Sequence, residues 1–142
     1  MSQTYANHTR WFVPYHFIVS PILLVNFGLA VRDAIRQPTV WTIWGAIVAF
    51  AILGGIGLGR VMALTVQDRV IRLEETLRLQ RLLPADQHGE IAQLSRKEYI
   101  ALRFASDAEL PTLFRRVRNG EFANDKAIKQ AITNWRPDYL RA

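Results

Sequence analysis

Two apolar stretches decide the architecture of this chain: FVPYHFIVSPILLVNFGLAV at residues 12–31 and VWTIWGAIVAFAILGGIGL at residues 40–58. Each is about 20 residues long, the length of helix that crosses a hydrocarbon core about 30 Å thick. Neither stretch contains Asp, Glu, Lys or Arg, the residues whose insertion at the bilayer centre costs most. The sequence therefore predicts two membrane-spanning helices.

The connection between the two stretches, RDAIRQPT at residues 32–39, is too short for anything but a tight turn, so we expect a transmembrane hairpin. The positive-inside rule predicts the orientation of the hairpin, and it favours the one with both termini cytoplasmic. Arg32 and Arg36 lie in the turn and favour the opposite orientation, but they are outnumbered by the basic residues near the outer ends, which are Arg10, Arg60, Arg69, Arg72 and Arg78.

Charge is concentrated behind the apolar stretches. Residues 60–142 hold 15 of the 18 Lys and Arg and 11 of the 12 Asp and Glu, a net charge of +4. Such a tail suits the surface of an anionic leaflet, so lipid headgroups are an expected partner. The basic residues are interleaved with acidic ones, which makes nucleic acid a poor match and leads us to expect no nucleic-acid partner. The chain has no cysteine, which excludes disulfides and thiolate metal sites.

The second apolar stretch continues into an amphipathic pattern. Val66, Val70, Leu73 and Leu77 recur at 4-3-4 spacing among charged residues, which predicts an amphipathic helix with a coiled-coil-like seam ending before Pro84. The seam is too short to require a coiled coil. If the helix is unbroken over residues 40–83, it is about 66 Å long.

The remaining sequence predicts a small helical tail. Ser95 and Glu98 have the spacing of a capping box for a helix through Ser106. Asp107 is a candidate cap for a helix ending before Gly120, and the last helix is predicted from 124–125 to Trp135. Thirteen apolar residues form the predicted tail core, a small number that implies docking on the long helix or on a partner: Ile91, Leu94, Tyr99, Leu102, Phe104, Leu110, Leu113, Phe114, Val117, Phe122, Ile128, Ile132 and Trp135.

The predicted fold is therefore all-α: a two-helix transmembrane hairpin, a long juxtamembrane helix and a small cytoplasmic helical tail. Its three segments are residues 1–59, residues 60–84 and residues 85–142.

Two features of the spans indicate helix packing. Ala51, Gly55 and Gly59 lie four residues apart, and such a ridge of small residues lets another backbone approach closely. It serves either the contact with the first span or the docking of a foreign helix or second copy. Asn26 lies inside the first span, where an amide prefers a hydrogen-bonding helix to lipid. Pro21 predicts a kink in the same span.

Polar residues on both sides of the hairpin are expected at the cytoplasmic interface. We predict that the N-terminal residues form a polar cluster with the start of the juxtamembrane helix, whose interaction residues are Asn7, His8, Arg10, Asp68, Arg69 and Arg72.

Residues suited to catalysis or ligand binding are few. His16, at the start of the first span, and His8 are candidate axial ligands for a haem- or chlorophyll-type macrocycle, with interfacial histidines as the alternative. They lie too far apart to share one metal. Glu74 and Glu75 point about 100° apart on a helix, so we expect no shared pocket for acid–base chemistry. No nucleophile–base pairing is recognisable, and we expect no enzyme, metal or resident cofactor.

The chain resembles a family of small uncharacterised bacterial two-span membrane proteins, a domain-of-unknown-function group sometimes labelled transporter permeases. The residues that carry the resemblance extend over the whole chain: Asn7-His8-x-Arg10, Tyr15-His16, QDRVIRLE at 67–74, ALRFASD at 101–107, ELP at 109–111, Ile128-Lys129 and NWR at 134–136. The resemblance implies a bacterial, hence inner-membrane, protein of this topology and supplies no activity.

The leading functional hypothesis is a non-enzymatic accessory or scaffold subunit that docks on a larger membrane complex, with respiratory or photosynthetic assemblies as natural hosts. A self-associating membrane scaffold, and so a homo-oligomer, is the second hypothesis. A small subunit that binds haem or chlorophyll through His16 is the third. A transporter ranks last, because two spans without Asp, Glu, Lys or Arg line no pathway.

Overall fold

The computed structural model describes residues 4–6 and 11–139. Over these residues it confirms the all-α class, since the one extended pairing is an isolated antiparallel bridge between Ala105 and Trp135. The α-helices of the described residues are α1 Ser20–Arg36, α2 Val40–Leu82, α3 His88–Ile91, α4 Arg96–Leu102, α5 Leu110–Arg118 and α6 Asp125–Gln130. The chain divides into two compact units, residues 11–64 and residues 65–139 with 4–6, and α2 contributes to both. The three predicted segments stay a prediction.

The first unit begins with a π-helical turn, Pro14–Val19, in which the Ser20 N–H donates to the carbonyl of Tyr15. This turn directly precedes Pro21, which has no N–H to donate and whose ring crowds the preceding turn. A locally wider helix accommodates the proline, so the structure places a π turn where the sequence predicts a kink.

Contacts between α1 and α2 are made by a few side chains. The rings of Phe27 and Phe50 lie 5.8 Å apart, and Ala49 is buried. The Arg60 guanidinium lies over the Tyr15 ring at 5.6 Å. These contacts use one face of each helix and leave the apolar residues of the other faces exposed.

Two helical stretches, Pro14–Arg36 and Val40–Leu82, are long and apolar enough to cross a membrane. In the most apolar 18-residue window of each stretch, the buried fraction is 0% for Pro14–Arg36 and 6% for Val40–Leu82. A core helix of a globular domain buries such a surface, so these helices are not packed as one.

The second unit has a single core, to which α2 contributes Leu79, and Leu83 directly after α2 is buried in the same core. The predicted tail residues are found in this core, with Phe122 and Trp135 packed at its edge. The long helix thus supplies part of the core that the tail sequence alone lacks.

Capping explains where α4 and α6 begin. The Glu98 N–H donates to Ser95 Oγ at 3.4 Å, and the Ser95 N–H donates to Glu98 Oε2 at 2.6 Å, so the capping box is confirmed. Asn124 Oδ1 accepts from the Ala127 N–H at 3.0 Å and caps α6. Gly120 follows α5 with φ of 72°, a backbone conformation that glycine adopts without a steric penalty.

The ends of the tail helices differ from the predictions. α4 ends at Leu102, not Ser106, because the following residues pair with the end of the chain: Arg136 N–H donates to the Phe104 carbonyl at 2.7 Å. α6 ends at Gln130 and so does not reach Trp135.

Candidate functional site

The small-residue ridge of α2 lies open. Ala51, Gly55 and Gly59 are exposed, and a Cβ built on either glycine meets nothing within 4 Å beyond its own helix backbone. Among the described residues the contact between α1 and α2 therefore does not use the ridge.

Asn26 is also on an uncovered face. Its side chain is exposed and makes no hydrogen bond within the described residues. An amide on an apolar helix gains most from a polar partner on a neighbouring helix, so Asn26 marks a second position in the first unit that is suited to such a contact.

The predicted N-terminal cluster is not placed, because Asn7, His8 and Arg10 lie outside the described residues. Of its proposed partners, Asp68 is ion-paired with Arg96 at 3.4 Å. This pair joins α2 to the first turn of α4. Arg69 is exposed beside it.

Arg72 and Thr76 contact the tail through Tyr99. The Arg72 guanidinium lies over the Tyr99 ring at 5.7 Å, and Thr76 Oγ1 donates to the Tyr99 hydroxyl at 3.3 Å. The buried hydroxyl in turn donates to the Ile91 carbonyl at 2.7 Å. Arg72 therefore packs within the second unit.

His16 lies among aromatic rings at the start of the first apolar helix. Its ring centroid is 5.0 Å from those of Trp11 and Tyr15, both in edge-on geometry. Nδ1 lies 3.0 Å from the Phe12 carbonyl, an acceptor, so Nδ1–H is the donor. In a neutral ring this bond places the lone pair on Nε2, which is the arrangement seen in histidine ligands.

The described residues of the tail leave much of the seam exposed. Its four residues are between 48% and 61% exposed, while the face of α2 that meets the tail carries Ile71, Glu75, Arg78 and Leu79. The seam residues Val66, Val70, Leu73 and Leu77 thus form an apolar strip that stays about half exposed or more among the described residues, and Val70 and Leu77 border the groove beside the segment after α6.

A buried ionic network joins α2 to the tail, and Arg78 is its centre. Arg78 Nη1 donates to Glu75 Oε2 at 3.0 Å, and Nη2 donates to the Ala105 carbonyl at 2.6 Å. Nε donates to Asp107 Oδ1 at 2.7 Å. Arg136 Nη1 reaches the other Glu75 oxygen at 3.2 Å. Because both buried charges have several partners, the network meets the condition under which burying ions is tolerated.

Asp107 belongs to this network and not to a helix cap, which makes the predicted capping role wrong. α5 begins at Leu110 after Glu109, without a side-chain cap. The hydrogen bond from Arg78 holds the pKa of the Asp107 carboxyl below its ordinary value of 3.8, and nearby Arg81 and Arg136 act in the same direction. The arginines thus keep Asp107 ionised.

A groove of about 950 Å³ lies beside the network, between α2 and the segment after α6. Glu74 and Glu75 both line it, so the expectation that they share no pocket is wrong. Arginines occupy both Glu75 oxygens, and Asp138 is paired with Arg103 at 3.4 Å, so Glu74 is the carboxylate of the lining without an arginine partner among the described residues. The full lining is Gln67, Val70, Ile71, Glu74, Glu75, Leu77, Arg78, Arg81, Arg103, Arg136, Pro137, Asp138 and Tyr139.

The burial of Glu75 and Arg78 was not predicted from the sequence. A signal was present: Ile71, Glu75, Leu79 and Leu82 follow a helical stripe of their own, and charges within an apolar stripe are candidates for burial. The partners Ala105 and Asp107 have no such signal. Within the described residues no group of three or more metal-ligating side chains is assembled.

Comparison with known proteins gives one match. The model of a family of unknown function, DUF6526, matches residues 1–142. No curated protein and no solved structure matches the chain. The resemblance to a family without an assigned function is thus confirmed, whereas the bacterial origin and two spans that it implied stay predictions.

Proposed function

We propose that this chain, which belongs to the family of unknown function DUF6526, is a non-enzymatic accessory subunit of a larger membrane complex. Because the family has no assigned function, the proposal rests on the geometry of the chain itself. Its two apolar helices would anchor it in a bacterial inner membrane, with both termini cytoplasmic. A helix of the host would pack on the small-residue ridge of α2, and the second unit would lie on the cytoplasmic side.

The open ridge is the observation that carries this proposal. Among the described residues, no atom beyond the helix's own backbone lies within 4 Å of a Cβ built on Gly55 or Gly59. A second helix in a membrane uses such a surface to bring its backbone close to the first. Hydrophobicity does not drive helix association in lipid, so shape and polar contacts decide it. Asn26 offers a polar contact of this kind.

Membrane anchoring is supported by exposure. Trp41, Trp44 and Phe50 of α2 are 57–81% exposed, and an exposed apolar surface of this extent needs lipid or protein to cover it. The positive tail adds attraction to anionic headgroups, about 1 kcal/mol for each basic residue near the surface.

The decisive experiment is purification of the tagged full chain from its native membrane in mild detergent, followed by mass spectrometry. We expect a fixed set of larger integral membrane proteins at constant stoichiometry. Recovery of the chain without such proteins would overturn the proposal, as would its release from membranes by alkaline carbonate.

Paired glycine variants locate the contact. Gly55→Leu with Gly59→Leu fills the ridge, and we expect loss of the host proteins. Gly28→Leu is the matched control, because Gly28 is a helical glycine of α1 that also faces open space. Leucine has the higher helix propensity at all three positions, so unfolding of the helices does not account for a loss. Host proteins retained by the double variant would exclude the ridge as the contact.

His16 supports a second candidate, a subunit that binds a macrocycle. The Nδ1–H bond to the Phe12 carbonyl fixes the ring with Nε2 available, as in second-shell support of histidine ligands. Protein purified from the native membrane would then show visible absorption that His16→Ala removes. A colourless wild-type preparation would exclude this candidate.

A further inference from the structure

The seam of the second unit has an apolar strip and a charge pattern that together specify a partner. Val66, Val70, Leu73 and Leu77 are exposed at 4-3-4 spacing, which is the alternation of a and d positions in a coiled coil. Taking Val66 and Leu73 as d places Val70 and Leu77 at a.

Two charged residues border the strip at the positions that face a partner helix. Arg69 precedes Val70 and takes position g, and Glu74 follows Leu73 and takes position e. Both side chains are exposed, and no ion pair among the described residues involves either. They are therefore available for pairs between chains.

In a parallel two-stranded coiled coil, a g residue faces the e residue five positions further along the partner helix. Arg69 and Glu74 are five positions apart. An in-register pair of identical chains thus forms two symmetric Arg69–Glu74 pairs, one on each side of the apolar strip. Valine at the central a position and leucine at the central d position also suit two strands.

We propose that the seam binds the seam of a second copy of this chain, in parallel and in register. The orientation rests on the proposed function, because two copies anchored in one membrane have the same orientation. Confinement to the membrane also raises the effective concentration of the second seam, which allows so short a contact to form. The dimer goes beyond the accessory role by naming a partner of the second unit.

Cross-linking tests the register directly. The chain has no cysteine, so Leu73→Cys in the full chain introduces a single thiol at the interface. Mild oxidation in membranes is expected to yield a disulfide-linked dimer. Thr65→Cys is the control, since that position is exposed and takes position c, off the strip of a and d residues. Equal cross-linking at both positions, or none at Leu73→Cys, would overturn the proposal.

Charge exchange tests the identity of the partner. Arg69→Glu places two carboxylates opposite each other in both pairs, and Glu74→Arg places two guanidinium groups opposite each other, so each variant is expected to lose self-pairing. Two differently tagged chains, one carrying each substitution, restore two attractive pairs and are expected to co-purify with each other. Self-pairing at wild-type level in both single variants would refute the Arg69–Glu74 contacts.

These outcomes separate the dimer from the accessory role. If Leu73→Cys fails to cross-link while host proteins co-purify, the dimer is wrong and the accessory role stands. If the mixed charge variants pair but no host is recovered, the dimer stands and the accessory role falls. If the wild-type chain recovers no host proteins and the double variant Gly55→Leu, Gly59→Leu loses the dimer, the ridge binds the second copy.

Discussion

Arg78 Nη2 donates to the main-chain carbonyl of Ala105 at 2.6 Å, which ties the long helix to the segment that follows α4. In this segment Ala105 forms an isolated antiparallel bridge with Trp135. One buried arginine thus holds together α2, the end of α4 and, through Glu75 and Arg136, the segment after α6.

Replacement of Arg78 by alanine is expected to destabilise the second unit by about 3–5 kcal/mol, because Glu75 would stay buried without its closest cation. Arg115→Ala is the matched control, an exposed arginine of the same unit, with an expected effect within about 0.5 kcal/mol. The measurement is denaturant-dependent amide exchange of α4 and α5 in the full chain in detergent. Equal effects of the two substitutions would show that the network contributes no net stability.

Acid is expected to weaken the same network through Asp107. Its folded-state pKa lies below the ordinary 3.8, so its contribution is present above that pH and is lost as the pH falls below it. Asp107→Asn is expected to lower the unfolding midpoint of the second unit at neutral pH. Between neutral pH and pH 3, this midpoint is expected to fall less in the variant than in the wild type. Asp86→Asn, at an exposed carboxylate, serves as control and is expected to leave the wild-type pH profile unchanged.

Tyr99 offers a test of the contact between the tail core and α2. Its hydroxyl donates to the Ile91 carbonyl and accepts from Thr76. Tyr99→Phe removes the shorter of the two hydrogen bonds that this carbonyl accepts, since the Leu94 N–H also donates to it at 3.2 Å, and is expected to cost about 0.5–1.5 kcal/mol. Thr76→Val removes only the longer bond and is expected to cost less than Tyr99→Phe. The reverse order in unfolding experiments would place the main connection at Thr76.

Periodicity and caps predicted the helices because both depend on neighbours along the chain. The capping box of Ser95 and Glu98 and the Asn124 cap are local, and both are present. The apolar positions of the tail were equally readable, since burial follows from hydrophobicity once a helix face is chosen.

Helix ends and the ionic network were not predictable in the same way. Asp107 has the local pattern of a cap, yet Arg78, 29 residues earlier, binds its carboxylate. The choice between a local cap and a charged partner distant in sequence depends on the fold. The seam shows the opposite case: its spacing predicted an interface, and the structure places the tail on another face of the same helix.

Glu109 provides a last prediction, about the segment that follows α6. Its carboxylate accepts from the Thr133 N–H and hydroxyl at 3.0 Å and from the Asn134 N–H at 3.1 Å. These three bonds hold the turn that leads to the bridge with Ala105. Glu109→Ala removes them, and we expect local opening there without loss of the core.

Hydrogen exchange measures that opening residue by residue. In Glu109→Ala, the amides of Thr133 and Asn134 are expected to exchange about tenfold faster, the equivalent of about 1.4 kcal/mol for a lost charge-assisted bond. Glu121→Ala is the matched control, because Glu121 pairs only locally, with Arg116, and it should leave both amides unchanged. Because Arg136 follows this turn and binds Glu75, the faster exchange is expected to extend to Arg136. Acceleration confined to Thr133 and Asn134 would show that the ionic network holds Arg136 without help from Glu109.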